Sequence, residues 1–163
     1  MAANVLVVAS QTAGSQQLLD ALTHRAERSP IKVTLVMPAQ GPGLTGREAM
    51  RGQLDEALAG MRAAGLDAEG VIGDPNPIDA VAECFDPSRH DEVIVCTLPG
   101  RSSKWLEHDF PHQVARFTCV PVTHVVADDL RPAPATSPAP HHEKHPLGPL
   151  SVLAWGGRHS GSR

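Results

Sequence analysis

Four short apolar runs, each joined to the next by stretches of helical periodicity or turn residues, restrict this chain to few architectures. They are residues 4–9 (NVLVVA), 31–37 (IKVTLVM), 93–96 (VIVC) and 120–127 (VPVTHVVA). The first and third are apolar almost throughout, the pattern of a strand covered on both faces; a strand with one wet face would alternate. A fifth run, residues 66–73 (LDAEGVIG), alternates apolar and acidic residues, and Asp67 and Glu69 suit a sheet edge, where charge discourages further pairing. Between the runs, Leu18, Leu19, Leu22 and Ala26 recur at helical spacing, as do Met50, Leu54, Leu58 and Met61, and again Ile78, Val81, Ala82 and Phe85. The order β-α-β-α-β-α-β-α-β, with short connections, predicts an α/β layer fold with a mainly parallel sheet and right-handed crossovers.

Element boundaries are marked by chemistry. Residues 10–15 (SQTAGS) form a turn with several N-cap candidates, and Ser29-Pro30 ends the first helix. The Pro/Gly-rich residues 38–44 read as a mobile loop, after which Thr45 and Glu48 have capping-box spacing; Gly65 stands where a C′ glycine belongs. In the turn Gly73-Asp74-Pro75-Asn76-Pro77, either Asp74 with Pro75 or Asn76 with Pro77 supplies the cap and first helical residue. Asp109-Phe110-Pro111 predicts another helix start, with the carboxylate as N-cap.

Composition narrows the function classes. Aromatics make up 3% of residues, with no tyrosine, so stacking on nucleobases is not a theme. A formal net charge of −4 and a pI near 6.1 argue against non-specific binding to nucleic acid or anionic membranes. No apolar run approaches the roughly 18 residues that span a bilayer, and the N-terminus leads straight into a strand, so a cytoplasmic protein is expected. Cys84, Cys96 and Cys119 have no paired spacing and read as reduced, largely buried thiols. After Asp128 the composition changes. Residues 1–128 read as the α/β domain, and residues 129–163 as a Pro/His-rich disordered tail with a short apolar segment at 150–155 (LSVLAW).

The candidate ligand site is the loop after the fourth strand, Thr97–Ser103 (TLPGRSS). A strand, a small-residue loop and a helix start form an anion cradle, because unpaired backbone N–H groups point at the ligand. Ligands of parallel sheets sit beyond the carboxyl ends of strands where the winding reverses. If the first and fourth strands are neighbours, Ser10 and Thr12 face Thr97, Gly100, Arg101, Ser102 and Ser103 across that crevice. The plainer reading is a turn whose Ser102 caps a short helix. His108 and His112 have an i,i+4 spacing that Pro111 spoils, and His141, His142 and His145 lie in the tail, so no metal site is assigned. His124 reads as a satisfied or interface histidine. With no nucleophile elbow, histidine–cysteine pair or G-x-x-x-x-G-K-[ST] loop, no catalytic residue is assigned and an enzyme is not expected.

The run GDPNPIDAVAE…HDEVIVCTLPGRSSKWL…VPVTHVV resembles the universal stress protein family over about residues 4–127. The resemblance implies an adenine nucleotide alpha hydrolase-like fold, three layers around an open parallel five-stranded sheet in the order 3-2-1-4-5. It also implies homodimers through the last strand, here Pro121 to Val126, and two subclasses, one of which binds ATP. ATP-binding members carry Asp-Gly-Ser after the first strand, where this chain has Ser10-Gln11-Thr12. They also carry Gly-x-x-Gly, nine residues, then Gly-Ser or Gly-Thr. Thr97 replaces the first glycine here and Gly100 keeps the second, while the later pair falls on Phe110-Pro111 or on His108-Asp109. An Asp109 carboxylate capping its helix would occupy the N–H groups that hold a phosphate, and would repel one by about 1 kcal/mol at 4 Å in water. The expectation is a non-catalytic regulatory or stress-response domain with ATP and AMP disfavoured as cofactors; the alternative is a nucleotide- or phosphate-binding module that uses the Thr97–Ser103 loop.

Overall fold

The fold follows from the need to cover both faces of the apolar strands. The structure is a computed structural model and describes residues 1–99 and 109–128. These contain strands β1 (Ala3–Val8), β2 (Ile31–Pro38), β3 (Asp67–Gly73), β4 (Glu92–Thr97) and β5 (Val122–Val126). They also contain helices α1 (Gln16–Arg28), α2 (Gly43–Ala63), α3 (Pro77–Cys84) and α4 (Phe110–Thr118). All strand pairings are parallel and the order is β3-β2-β1-β4-β5, as the resemblance implies. The expectations for Gly100, Arg101, Ser102 and Ser103, for His108, and for the tail lie outside the described residues.

Side chains alternate across β1. Val5 and Val7 pack with Leu18 and Leu22 of α1 and with the Met50, Leu54, Leu58 and Met61 stripe of α2. Leu6 and Val8 turn the other way, onto Ala80 and Val81 of α3 and Phe110 and Val114 of α4. Every residue from Val5 to Ala9 is 0% exposed, which is why the run tolerates no polar residue. Full burial of one such Val or Leu side chain contributes about 1.5–3 kcal/mol, so the two small cores carry most of the stability.

Local chemistry places several ends as expected. The Ser15 hydroxyl accepts from the Leu18 N–H at 3.3 Å, and α1 stops at Ser29. Gly65 (φ 88°) closes α2, its N–H donating to the Arg62 carbonyl at 2.9 Å while Leu66 N–H reaches the Met61 carbonyl at 3.1 Å. Of the two alternatives before α3, the cap is Asn76: its Oδ1 accepts from Ile78 N–H at 3.1 Å, and Asp74 Oδ1 accepts from Asn76 N–H at 2.8 Å.

Four expectations are corrected. The helix after β2 starts at Gly43, with Pro42 at the N-cap and no side-chain cap, so Thr45 and Glu48 form no capping box. The cause is backbone freedom: Gly41 (φ 119°) and Gly43 (φ 78°) fold the loop back until the Gln40 N–H reaches the Gly46 carbonyl at 3.3 Å. On α3, Ala82 is exposed and Ala80 is buried, because Ala80 packs against the bare Cα of Gly73, where a Cβ would approach to 2.8 Å. Asp109 stands at the N-cap of α4 but adopts φ 55° and makes no capping bond; its Oδ1 instead meets His112 Nδ1 at 2.6 Å. The carboxylate therefore leaves the helix N–H groups uncapped by its side chain. The thiols are free, but only Cys96 is buried; Cys84 is half-buried and Cys119 is exposed.

The two sheet edges differ. On β3, Arg62 Nε donates to the Ala68 carbonyl at 3.0 Å and Arg47 Nη1 to the Ile72 carbonyl at 3.3 Å, while Asp67 and Glu69 are exposed. Guanidinium donors thus cover carbonyls that an incoming strand would use. On β5, Thr123, His124 and Val126 are exposed, and no arginine from the described residues caps the strand.

The Gly46 position gives a sign test. Alanine improves intrinsic helix propensity by about 1 kcal/mol, but a Cβ here would overlap the Gly41 carbonyl oxygen. Gly46→Ala is expected to destabilise the domain by about 1–3 kcal/mol, as overpacking does, measured by urea denaturation. A neutral or stabilising result would show that the Gly41 turn does not close on α2.

Candidate ligand crevice

The pairing of β1 with β4 ends at Val8 and Val95, and the next carbonyl of β4 that faces β1, that of Cys96, accepts the Thr12 hydroxyl at 3.0 Å. The β1–α1 turn is thereby tied across the switch point of the sheet. Ser15 Oγ lies 3.9 Å from Cys96 Sγ, so the helix cap and the strand end share one buried polar contact. Burial raises the Cys96 thiol above its ordinary value, which keeps it a neutral thiol. On the other side of β4, Thr97 Oγ1 and His124 Nε2 are 2.7 Å apart.

These bonds locate the predicted site residues. Ser10, Thr12 and Thr97 do converge at the carboxyl ends of β1 and β4, but Thr12 and Thr97 are each 2% exposed and their hydroxyls hold the protein together. Of the described site residues, Ser10 alone opens onto solvent-accessible space, a cleft of about 510 Å³ between the β1–α1 turn and α2. The cleft is lined by Ser10, Gln11, Gly14, Gln40, Gln53 and Glu56, among others. Sequence reasoning missed the α2 wall, since Gln53 and Glu56 sit on the exposed face of a helix whose register alone shows nothing of its neighbours. Among the described residues, this lining holds one carboxylate, several amides and no cation. It is chemistry suited to polar, uncharged groups rather than to phosphates. No group of three or more His, Cys, Asp or Glu side chains arranged to hold a metal ion occurs among the described residues. Nor is any described helix long and apolar enough to cross a membrane.

An open parallel sheet wound 3-2-1-4-5, with a cleft beyond the carboxyl end of β1, defines a doubly wound α/β domain. Solved universal stress proteins have this fold. One, in complex with cAMP, is 21% identical with a TM-score of 0.52, covering 77% of this chain and 98% of that chain. Another, from Archaeoglobus fulgidus, is 16% identical with a TM-score of 0.55, covering 77% of this chain and 94% of that one. No family model matches the sequence, and no curated protein matches it.

Two imidazoles make stability pH-dependent. Partial desolvation holds both the buried His90 and the more exposed His124 below the ordinary 6.5; His90 Nδ1 accepts from the Asp86 N–H at 3.0 Å. A histidine that resists protonation when folded, but not when unfolded, makes the unfolded chain bind more protons as pH falls. Its contribution is complete above 6.5 and lost below it. The thermal midpoint is expected to drop between about pH 7.5 and about pH 5.5, and to drop less steeply in a His90→Asn, His124→Asn double variant. A wild-type midpoint that holds or rises over this interval would contradict the assignment.

Proposed function

We propose that this chain is a non-catalytic, universal stress protein-like regulatory domain that does not take ATP in its crevice, and that it acts as a homodimer. The observation that carries the reading is the cleft between the β1–α1 turn and α2, which Glu56 and amide side chains line with no cation among the described residues. The engaged hydroxyls of Thr12 and Thr97 support it, since neither is free to hold a phosphate. A second reading is favoured by the similar structure that carries cAMP: a ligand with a single phosphate charge, held by the loop that includes Arg101.

With ATP and magnesium at millimolar concentration, the thermal midpoint is expected to move by less than about 1 °C. A ligand present at a hundred times its Kd would add about 2.7 kcal/mol and shift a domain of this size by several degrees. Such a shift with ATP would refute the reading. A shift with cAMP alone, abolished in Arg101→Ala, would establish the second.

The dimer reading rests on the asymmetry of the edges, one capped by Arg47 and Arg62 and the other uncharged. Light scattering at micromolar concentration is expected to give twice the 17.2 kDa chain mass, and Val126→Lys to return it to the single-chain value. A wild-type mass of 17.2 kDa would exclude pairing through β5.

A further inference from the structure

At the opposite end of the sheet from the crevice, α1 and the amino ends of β4 and β5 enclose a cleft of about 620 Å³. This volume lies within the range of small-molecule sites. We propose that it binds a free apolar α-amino acid as its zwitterion.

The chemistry of the lining points to that class. Ala21, Ile94 and Pro121 supply apolar surface. From α1 come Arg25 and Arg28; from the segment entering β4 come Asp91 and Glu92. The Arg25 side chain is 22% exposed and fixed at two points, with Nε on Glu92 Oε1 at 2.7 Å and Nη1 on Ser29 Oγ at 2.8 Å. A guanidinium fork has further donors beyond these, and here they are held in place before any ligand arrives. Arg28, one turn on, is exposed. Asp91 is fixed too, its Oδ2 accepting from the Asn4 N–H at 2.8 Å. The two arginines and two carboxylates cancel, and His24 is the remaining titratable side chain of the lining. An anion gains from the arginines and loses to Asp91 and Glu92; a cation does the reverse. Only a ligand that carries both signs gains from both, and its side chain covers the apolar surface.

The cleft is remote from the Ser10–Glu56 crevice, so the test is independent of the ATP reading. Full-length protein labelled with nitrogen-15 is titrated with leucine, with isocaproate (the same skeleton without the ammonium) and with isoamylamine (without the carboxylate). Leucine is expected to shift the amide resonances of Ala21, Arg28, Ile94 and Thr123, and each analogue to bind at least about tenfold more weakly. Arg28→Ala, at an exposed position, and Asp91→Asn, which keeps an acceptor for Asn4, are each expected to weaken leucine about fivefold. Absence of shifts at tens of millimolar leucine overturns the proposal. So does equal binding of isocaproate, or unchanged affinity in both variants.

Discussion

Everything in this domain depends on covering β1 from both sides. A parallel sheet has no wet face, so each turn of α1 and α2 above, and of α3 and α4 below, is placed by the demand that Val5 to Ala9 meet no water. β1 then lies between β2 and β4, and the turn that follows it is held to the end of β4 by the Thr12 hydroxyl. The crevice is a by-product of that winding. Its shape is set by the core, and its chemistry is left to the β1–α1 turn and the exposed face of α2.

The core was legible because burial leaves a periodic signature. The Met50, Leu54, Leu58 and Met61 stripe, the apolar residues of β1 and β4, and the edge character of Asp67 and Glu69 all stand where spacing puts them. The helix starts were less legible. Thr45 and Glu48 match a capping box, yet two glycines two residues apart bend the loop so that the helix begins earlier without a side-chain cap. Asp109 matches an N-cap, yet in the left-handed conformation its carboxylate turns to His112. A cap is a local motif, and its energy of about 1 kcal/mol is easily outweighed by the tertiary packing that fixes the backbone around it. Ala80 and Ala82 show the same limit: two alanines on an eight-residue helix are distinguished only by the bare Cα of Gly73 beneath one of them.

The site residues divide along the same line. The convergence of Ser10, Thr12 and Thr97 followed from topology alone. That the Thr12 and Thr97 hydroxyls face inward did not, because the choice between a ligand and the Cys96 carbonyl or His124 depends on where strand pairing stops. Once β1 ends at Val8, the Cys96 carbonyl is left facing a strand that is no longer there. A buried carbonyl without a donor costs about 1–3 kcal/mol, enough to draw in the nearest hydroxyl. Thr12, which reads as a ligand contact, is thus explained by the sheet's own hydrogen bonding, and Thr97 by its bond to the His124 side chain.

It follows that the winding, which the universal stress proteins share, sets where clefts open on this chain but not which ligand suits them. The carboxyl-end cleft has amides and Glu56 where an anion would need cations, among the residues described. The amino-end cleft has an anchored guanidinium and an anchored carboxylate on apolar surface. Charge placement, not fold, separates the two. A change of a few side chains on α1 and α2 would redirect the domain to different ligands while every residue that covers β1 stayed as it is.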